Sequence, residues 1–410
     1  MKVLQINALY GNKSTGTIVR DIHRLMRDAS IDSRVACIAA EGTDDGVMAL
    51  GFGLDNKIHA LLTRLNGKQG FYSKTSTKKL LKWIDDEKPD IIHLHNVHSN
   101  FLNLPMVFDY ARANDVSVVM TLHDCWYFTG KCYHFLDNGC EKWKTKCSDC
   151  PKRRQDIPSL LVDSSEKVFD CKGRMYSGTD LYVVGCSKWV TECAKQSPLF
   201  DGAHFHQIYN GVDSNIFCKD GDDLADELGT DGKFTVLTMA NKWFDGRNEG
   251  VRAAVMDEVK KLGGRIIVAG CKDEQMTLYD NDESLIALPY ISDRCYLAKL
   301  YRTADVFLNL TFVDTLPTVN IESALCATPI ITYNSGGSGE LVLEGVSGYV
   351  VTPLAIDDVI SSLRKIKNGA IKREDCSAFA LKNFEKTSNY KKYLELYTQI
   401  CENKKVDRNG

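Results

Sequence analysis

The segment from Asp314 to Glu322, Asp-Thr-Leu-Pro-Thr-Val-Asn-Ile-Glu, holds the residue types best suited to chemistry. The apolar run Val306–Leu310 before it reads as a strand. Pro317 sits where a helix begins, a place proline favours because its missing N–H is not needed there. The amides of Thr318, Val319 and Asn320 are then unpaired donors at a positive helix end, ready for a phosphate group. Glu322, one turn in, is wrong for a phosphate but suited to accept hydrogen bonds from sugar hydroxyls such as those of a ribose. Asp314 precedes the helix and is placed for the hydroxyls of a further sugar. Taken alone, the same pattern also describes an ordinary capped helix with an acidic first turn.

Positioning such a site takes a scaffold, and the chain is long enough for two. Its 410 residues exceed one ordinary core and fit two domains of roughly 150–200 residues each. Strand-like apolar runs alternate with helix-like stretches in both halves, the pattern of parallel sheets with crossover helices. The first set is Lys2–Ala8, Ser33–Ala39, Ile91–Leu94, Ser117–Leu122 and Asp180–Cys186. The second is Phe234–Ala240, Arg265–Gly270, Leu285–Leu288, Val306–Leu310 and Pro329–Tyr333. Strict alternation is missing, as expected of strands covered on both faces. The Asn210-Gly211 pair marks a turn and a domain boundary. The expected organisation is an N-terminal domain over 1–209 and a C-terminal domain over 210–377. A last helix over 378–402, with Tyr390, Tyr393, Leu394, Tyr397 and Ile400 on one face, packs back on the first. In such α/β sheets ligands bind outside the carboxyl ends of the strands, so a central cleft between the two domains is expected.

Composition narrows the setting. A net charge of −3 gives no long-range pull toward nucleic acid or anionic lipid, so any attraction to phosphate is local. No run reaches the roughly 18 apolar residues of a membrane helix, and MKVLQINALYG reads as a first buried strand rather than a leader. Fifteen cysteines scattered through strand and helix patterns fit free thiols in a reducing cytoplasm.

Several pieces in order resemble the retaining glycosyltransferases of family 4, which have the GT-B fold. They are Asn210-Gly211-Val212-Asp213, Tyr290-Ile291-Ser292-Asp293, Leu300–Val306, the acidic-x7-Glu spacing of Asp314 and Glu322 followed by Ser323–Ile331, Ser335–Glu340 and Gly345–Tyr349. The resemblance spans nearly the whole chain. Asp314 stands where many members have Glu, and Ala327 where Gly is usual. It implies an α/β GT-B fold of two Rossmann-like domains facing a cleft. It also implies transfer of a hexose, with retention, from a nucleotide-diphosphate sugar to a glycan or lipid-linked sugar acceptor, in cell-surface polysaccharide assembly. A nucleotide-sugar-binding or isomerising relative on the same fold is the alternative.

The resemblance also assigns roles. The leaving diphosphate needs a cation, and family 4 places an Arg and a Lys after the first strand of the second domain. Here Arg247, whose fork suits two phosphate oxygens, and Lys242 are the candidates. Backbone near Tyr290 and Ile291 meets the nucleotide base. The loop Gly11–Arg20 brings Ser14, Thr15 and Gly16 to the donor phosphate or the acceptor. His123, with Asp124 after it, binds a sugar hydroxyl or backbone carbonyl near the anomeric carbon. Apart from the resemblance, the place of His93, His95 and Asn96 at the end of the preceding strand suits them to line an acceptor pocket. No side chain is named as general base, and no catalytic cofactor is expected.

One further cluster lies in a 125–155 insert. Cys132, Cys140, Cys147 and Cys150 include a Cys-x2-Cys half-site for structural zinc, or are four unlinked cysteines. Lys142, Lys144, Lys146, Lys152, Arg153 and Arg154 around them suit an anionic acceptor or the inner membrane surface, or form a solvated face. A zinc-bearing nucleic-acid module fits poorly with a slightly acidic chain, so nucleic acid is not an expected partner.

Overall fold

The computed structural model describes residues 1–278 and 282–409, the side chains of 407–409 excepted. The chain divides into two compact units, Met1–Asn210 with the chain from Thr387 onward, and Gly211–Lys386.

The first unit is built on seven parallel strands: β1 (Lys2–Ile6), β2 (Asp32–Cys37), β3 (Val47–Ala49), β4 (Ile91–Leu94), β5 (Ser117–Leu122), β6 (Leu181–Gly185) and β7 (His204–Gln207). Their order is β3-β2-β1-β4-β5-β6-β7. Every residue of β4, β5 and β6 is buried, which explains their unbroken apolar runs. The short edge strands β3 and β7 carry too little apolar sequence to be read from the chain alone. Helix α1 (Lys13–Asp28) follows β1 and turns Ile18, Val19, Ile22 and Met26 inward.

The second unit has six parallel strands: β8 (Thr235–Met239), β9 (Arg265–Cys271), β10 (Leu285–Pro289), β11 (Val306–Asn309), β12 (Ile330–Tyr333) and β13 (Gly348–Val351). Their order is β10-β9-β8-β11-β12-β13. Each unit therefore runs outward from its first strand in one direction and then jumps back across it. The reversal points, β1/β4 and β8/β11, are where doubly wound sheets bind ligands. Helices α2 (Arg294–Thr303) and α3 (Thr318–Leu325) flank β11.

The C-terminal helix α4 (Lys386–Asn409) joins the first unit's core, where Tyr390, Tyr393, Leu396, Tyr397 and Ile400 pack with Val3, Ile22 and Val184. Residues 378–386 stay with the second unit, later than the boundary expected at 377. Backbone and charge hold them there: Val212 donates to the Phe384 carbonyl (3.0 Å), and Lys386 pairs with Asp213 (2.8 Å).

Candidate active site

In the second unit α3 starts directly beyond the β11 end of the sheet. Pro317 occupies the cap position, one residue before the helix proper, with φ −71° and ψ 100°. The Asn320 amide is not an open donor as expected, because it returns to the Pro317 carbonyl at 3.0 Å. Helix geometry leaves Thr318 and Val319 without a carbonyl one turn back, so theirs are the amides offered to a ligand. The Asn320 side chain works in the core instead, accepting from Asn309 (2.7 Å) and donating to Thr332 (3.4 Å). That pair of bonds ties α3 to β11 and β12.

A second amide fixes the loop ends. Buried Asn248 donates to the carbonyls of Lys242 (2.9 Å) and Leu310 (3.0 Å) and accepts from the Tyr333 hydroxyl (2.9 Å). One side chain thus pins the segments after β8 and β11 to the end of β12. Asp314 shapes the approach to α3, its Oδ1 accepting from the Leu316 amide at 3.0 Å. Gly336 passes so close that a Cβ would lie 1.9 Å from the Asp314 carbonyl, at φ +57°. Only glycine fits there. The hydroxyls of Thr311 and Ser338, both buried after β11 and β12, have no hydrogen-bond partner among the described residues. Each is a donor that a ligand oxygen can satisfy.

Glu322 is partly buried one turn into α3, with the Tyr301 hydroxyl donating to its Oε2 at 3.3 Å. Burial pushes its carboxyl up to about 7, against the pull of the Arg294 guanidinium and the Tyr301 hydroxyl. Arg247 grips Asp245 with both arms of its fork (3.0 and 2.6 Å) and lies over the Phe312 ring, 4.0 Å from its centroid. Its fork is therefore directed to a carboxylate of its own loop. Lys242 lies near the same carboxylate and contributes to holding Asp245 low, behind the hydrogen bonds from Arg247. Tyr290 is exposed and Ile291 partly so, just beyond β10.

In the first unit Ser14, Thr15 and Gly16 form the opening turn of α1, with Gly16 buried against the Leu9 carbonyl. The Asn96 amide donates to Asn7 Oδ1 (3.0 Å) and its carbonyl accepts from Ala8 (3.0 Å), so its backbone joins the ends of β1 and β4. His123, beyond β5, is partly buried, and burial pushes its pKa down to about 4 despite Asp124 beside it. His95 does not line a pocket as expected. It is fully buried, with Nδ1 3.1 Å from His123 Nε2 and Nε2 3.2 Å from Gln5 Oε1. His93 is likewise enclosed, bonded to the Tyr397 hydroxyl (2.6 Å) and to Thr121 (2.7 Å). Asp124 also has structural work, Oδ2 pairing with His98 (2.7 Å) and Oδ1 accepting from Trp126 (2.8 Å). Burial alone would raise its pKa, but His98 and the Trp126 amide hold it below the ordinary range.

The four insert cysteines line one cavity of about 20 Å³ with Trp143. Burial raises the thiols of Cys132 to about 12 and Cys147 to about 11. Among the described residues no group of three or more His, Cys, Asp or Glu is arranged to hold a metal ion, so the geometry gives structural zinc no support. The basic cluster around them is partly neutralised. Lys152 is 5% exposed and paired with Asp137 and Asp156, and Lys146 bridges Glu166 and Asp170.

Residues 265–383 match the family model "Glycosyl transferases group 1", and residues 15–215 match "Glycosyltransferase Family 4". Neither stretch spans half of the chain, and the fold the chain adopts is that of the GT-B glycosyltransferases. A glycosyltransferase from Rickettsia africae superposes with a TM-score of 0.69 over 98% of this chain and 99% of its own, at 14% identity. Anabaena HepE, solved in complex with UDP-glucose, gives 0.65 over 97% of this chain and all of its own, at 15% identity. At such identities these matches show the fold. In sequence, the putative colanic acid biosynthesis glycosyl transferase WcaC of Escherichia coli K12 is 26% identical over 275 residues. That match spans 64% of each chain, just under two thirds of WcaC.

Sequence reasoning missed Asn248, Asn309, Thr332, Tyr301 and Gln5. None stands in the Asp314–Glu322 motif or carries a charge, and each matters through a partner at least 11 positions away.

Proposed function

We propose that this GT-B glycosyltransferase moves a hexose from a nucleotide-diphosphate sugar to a glycan or lipid-linked sugar acceptor, with retention, in cell-surface polysaccharide assembly. The observation that carries this is the start of α3 at a sheet reversal point: two amides for phosphate and, on the next turn, a carboxylate for ribose hydroxyls. Hydrogen bonds from a diol favour the ionised carboxylate, so donor binding draws the Glu322 proton off. Arg247 serves the departing diphosphate by exchanging Asp245 for phosphate oxygens, with Lys242 as the neighbouring charge. Asp314 and His123 contact hydroxyls of the donor sugar, and Ser14, Thr15 and Gly16 offer the opening turn of α1. The UDP-glucose complex of HepE and the name of WcaC support this donor class and setting.

The test is release of nucleoside diphosphate from a panel of donor sugars, with and without sugar acceptors. Wild type should turn over at least one donor only when acceptor is added. Glu322→Ala should lower that rate about 100-fold or more, the scale of losing one group aimed at a reacting ligand. A protein that binds donors but never transfers, or a Glu322→Ala variant as fast as wild type, overturns the proposal.

Contact with an anionic inner membrane surface is part of the proposal, moved from the basic insert to an apolar patch. Phe52, Leu54, Ile58 and Leu61 are exposed on or beside the helix Leu54–Asn66. Leu160–Val162, exposed too, bond alongside through Leu160 to Arg64 (3.0 Å) and Leu161 to Leu65 (2.9 Å). Exposed Lys57 and Arg64 add positive charge. Among the described residues no helix is long and apolar enough to cross a membrane. Flotation with phosphatidylglycerol vesicles should carry the protein up and fail with Leu54→Glu/Leu161→Glu; equal flotation of both sinks the membrane contact.

A further inference from the structure

A line of three side chains runs through the reversal point of the first sheet, and it decides where one proton sits. Gln5, on β1, is fully buried. Its Nε2 donates to the Val19 carbonyl in α1 at 3.4 Å, so its Oε1 is the atom turned to His95. An amide oxygen only accepts. His95 Nε2 must therefore carry the hydrogen of that 3.2 Å contact. Both rings are driven neutral by burial, His95 also by its His93 and His123 neighbours. A neutral imidazole has one N–H, so His95 Nδ1 is a lone-pair nitrogen. The 3.1 Å contact it makes with His123 then requires the hydrogen on His123 Nε2.

The frame around this line holds it in place. The Tyr127 hydroxyl donates to the His95 carbonyl (2.5 Å), and the His95 amide donates to the Ile6 carbonyl (3.0 Å). His93 packs against His95, ring centroids 3.9 Å apart and planes tilted by 38°, and is itself fixed by Tyr397 and Thr121. The His95 and His123 rings lie nearly parallel, 19° apart.

We infer that Gln5 and His95 are positioning residues that hold His123 in its Nε2–H tautomer, leaving Nδ1 as a hydrogen-bond acceptor for a hydroxyl of the donor sugar. This rests on the role proposed for His123 in transfer and goes further, because it fixes the direction of that bond. His123 then accepts from a hydroxyl and does not donate to a carbonyl. A donor sugar lacking that hydroxyl, or carrying a methoxy group there, is a poor substrate.

Long-range ¹H–¹⁵N spectra of the full chain distinguish the tautomers without any substrate. His95 and His123 should both show protonated Nε2 and unprotonated Nδ1 at pH 7; a protonated Nδ1 on His123 overturns the inference. Gln5→Met, close in volume and without the acceptor, should give His123 a mixture of both tautomers. It should also lower kcat/KM for the donor about tenfold, mainly in kcat. If the tautomer shifts and turnover does not, the chain of bonds stands and the role of His123 in transfer falls. If Gln5→Met leaves the tautomer unchanged, the chain of bonds falls. Should that variant not fold, the wild-type spectrum alone still decides.

Discussion

The two units share a strand order and differ in what they place at its reversal point. In the first, β4 and β5 lead into neutral imidazoles, His95 and His123, bonded to each other and, through His95, to the Gln5 amide of β1. In the second, side-chain amides at the end of β11 (Asn309) and in the segments beyond β8 and β11 (Asn248, Asn320) tie the loops, with a carboxylate, a guanidinium and a helix start around them. The same topology thus holds a charge-poor surface in one unit and a charged, donor-rich one in the other. Topology sets where a ligand can sit, and the residues at the strand ends set which part of it is welcome there.

If the second unit depends on its amide ties, cutting one should cost more than any comparable change in the first. Asn248→Ala strands the Lys242 and Leu310 carbonyls and the Tyr333 hydroxyl together. A loss of about 2–4 kcal/mol is expected, since each buried group left unpaired costs about 1–3 kcal/mol and neighbouring losses overlap. Denaturant midpoints measure it. A loss under about 1 kcal/mol would show that the loops hold without the tie.

The carboxylate of the second unit should reveal itself through pH. Burial raises the Glu322 pKa from 4.5 to about 7. Between those values the folded protein holds a proton that the unfolded chain has released, so its stability falls as pH rises through that window. Glu322→Gln keeps the shape and removes the ionisation. It should therefore be more stable than wild type at pH 8, by up to about 3.5 kcal/mol at ~1.4 kcal/mol per pKa unit, and no more stable at pH 4. Melting curves at both values decide, and an equal gain at both refutes the buried carboxylate. A variant that is sturdier yet slower is the usual signature of a group kept for function.

In the first unit the matching test is milder. Tyr397→Phe removes one hydroxyl from His93 Nδ1, 2.6 Å away, and leaves the packing of α4 intact. About 1 kcal/mol is the expected cost, read from the denaturant midpoint. A cost as large as that of Asn248→Ala would erase the contrast between the two reversal points.

These contrasts also explain what the chain reveals by itself. Long buried strands and the start of α3 were legible because apolar runs and a proline carry local signals. The edge strands β3, β7 and β13 were not, because runs of only three or four residues look like loop. At the sites the visible residues were those with charge or a motif, Asp314, Glu322, Arg247 and His123. Asn248 and Gln5 stayed hidden because an amide in a core looks like any other polar residue until its partners, 62 and 90 positions away, are known. His95 misled for the opposite reason: its place at a strand end suggested a ligand contact, while its neighbours enclose it.

The smallest effect concerns a residue that departs from the family pattern. Ala327 follows α3 with φ +61°, in the left-handed region. The bonds around it are those of a helix end closed by such a residue: Thr328 donates to the Ser323 carbonyl (3.0 Å) and Ala327 to the Ala324 carbonyl (3.0 Å). Glycine adopts this conformation freely, whereas a Cβ costs roughly 1–2 kcal/mol. Against that, Ala327 is only 5% exposed, so its methyl contributes about 0.8 kcal/mol of burial. The backbone term is the larger, and Ala327→Gly should stabilise by about 0.5 kcal/mol. A small rise in the denaturant midpoint is the expected readout, with donor turnover unchanged. A fall instead would mean that the buried methyl outweighs the strain, and that alanine at the end of α3 is a packing choice in the unit whose site otherwise depends on its amides and its carboxylate.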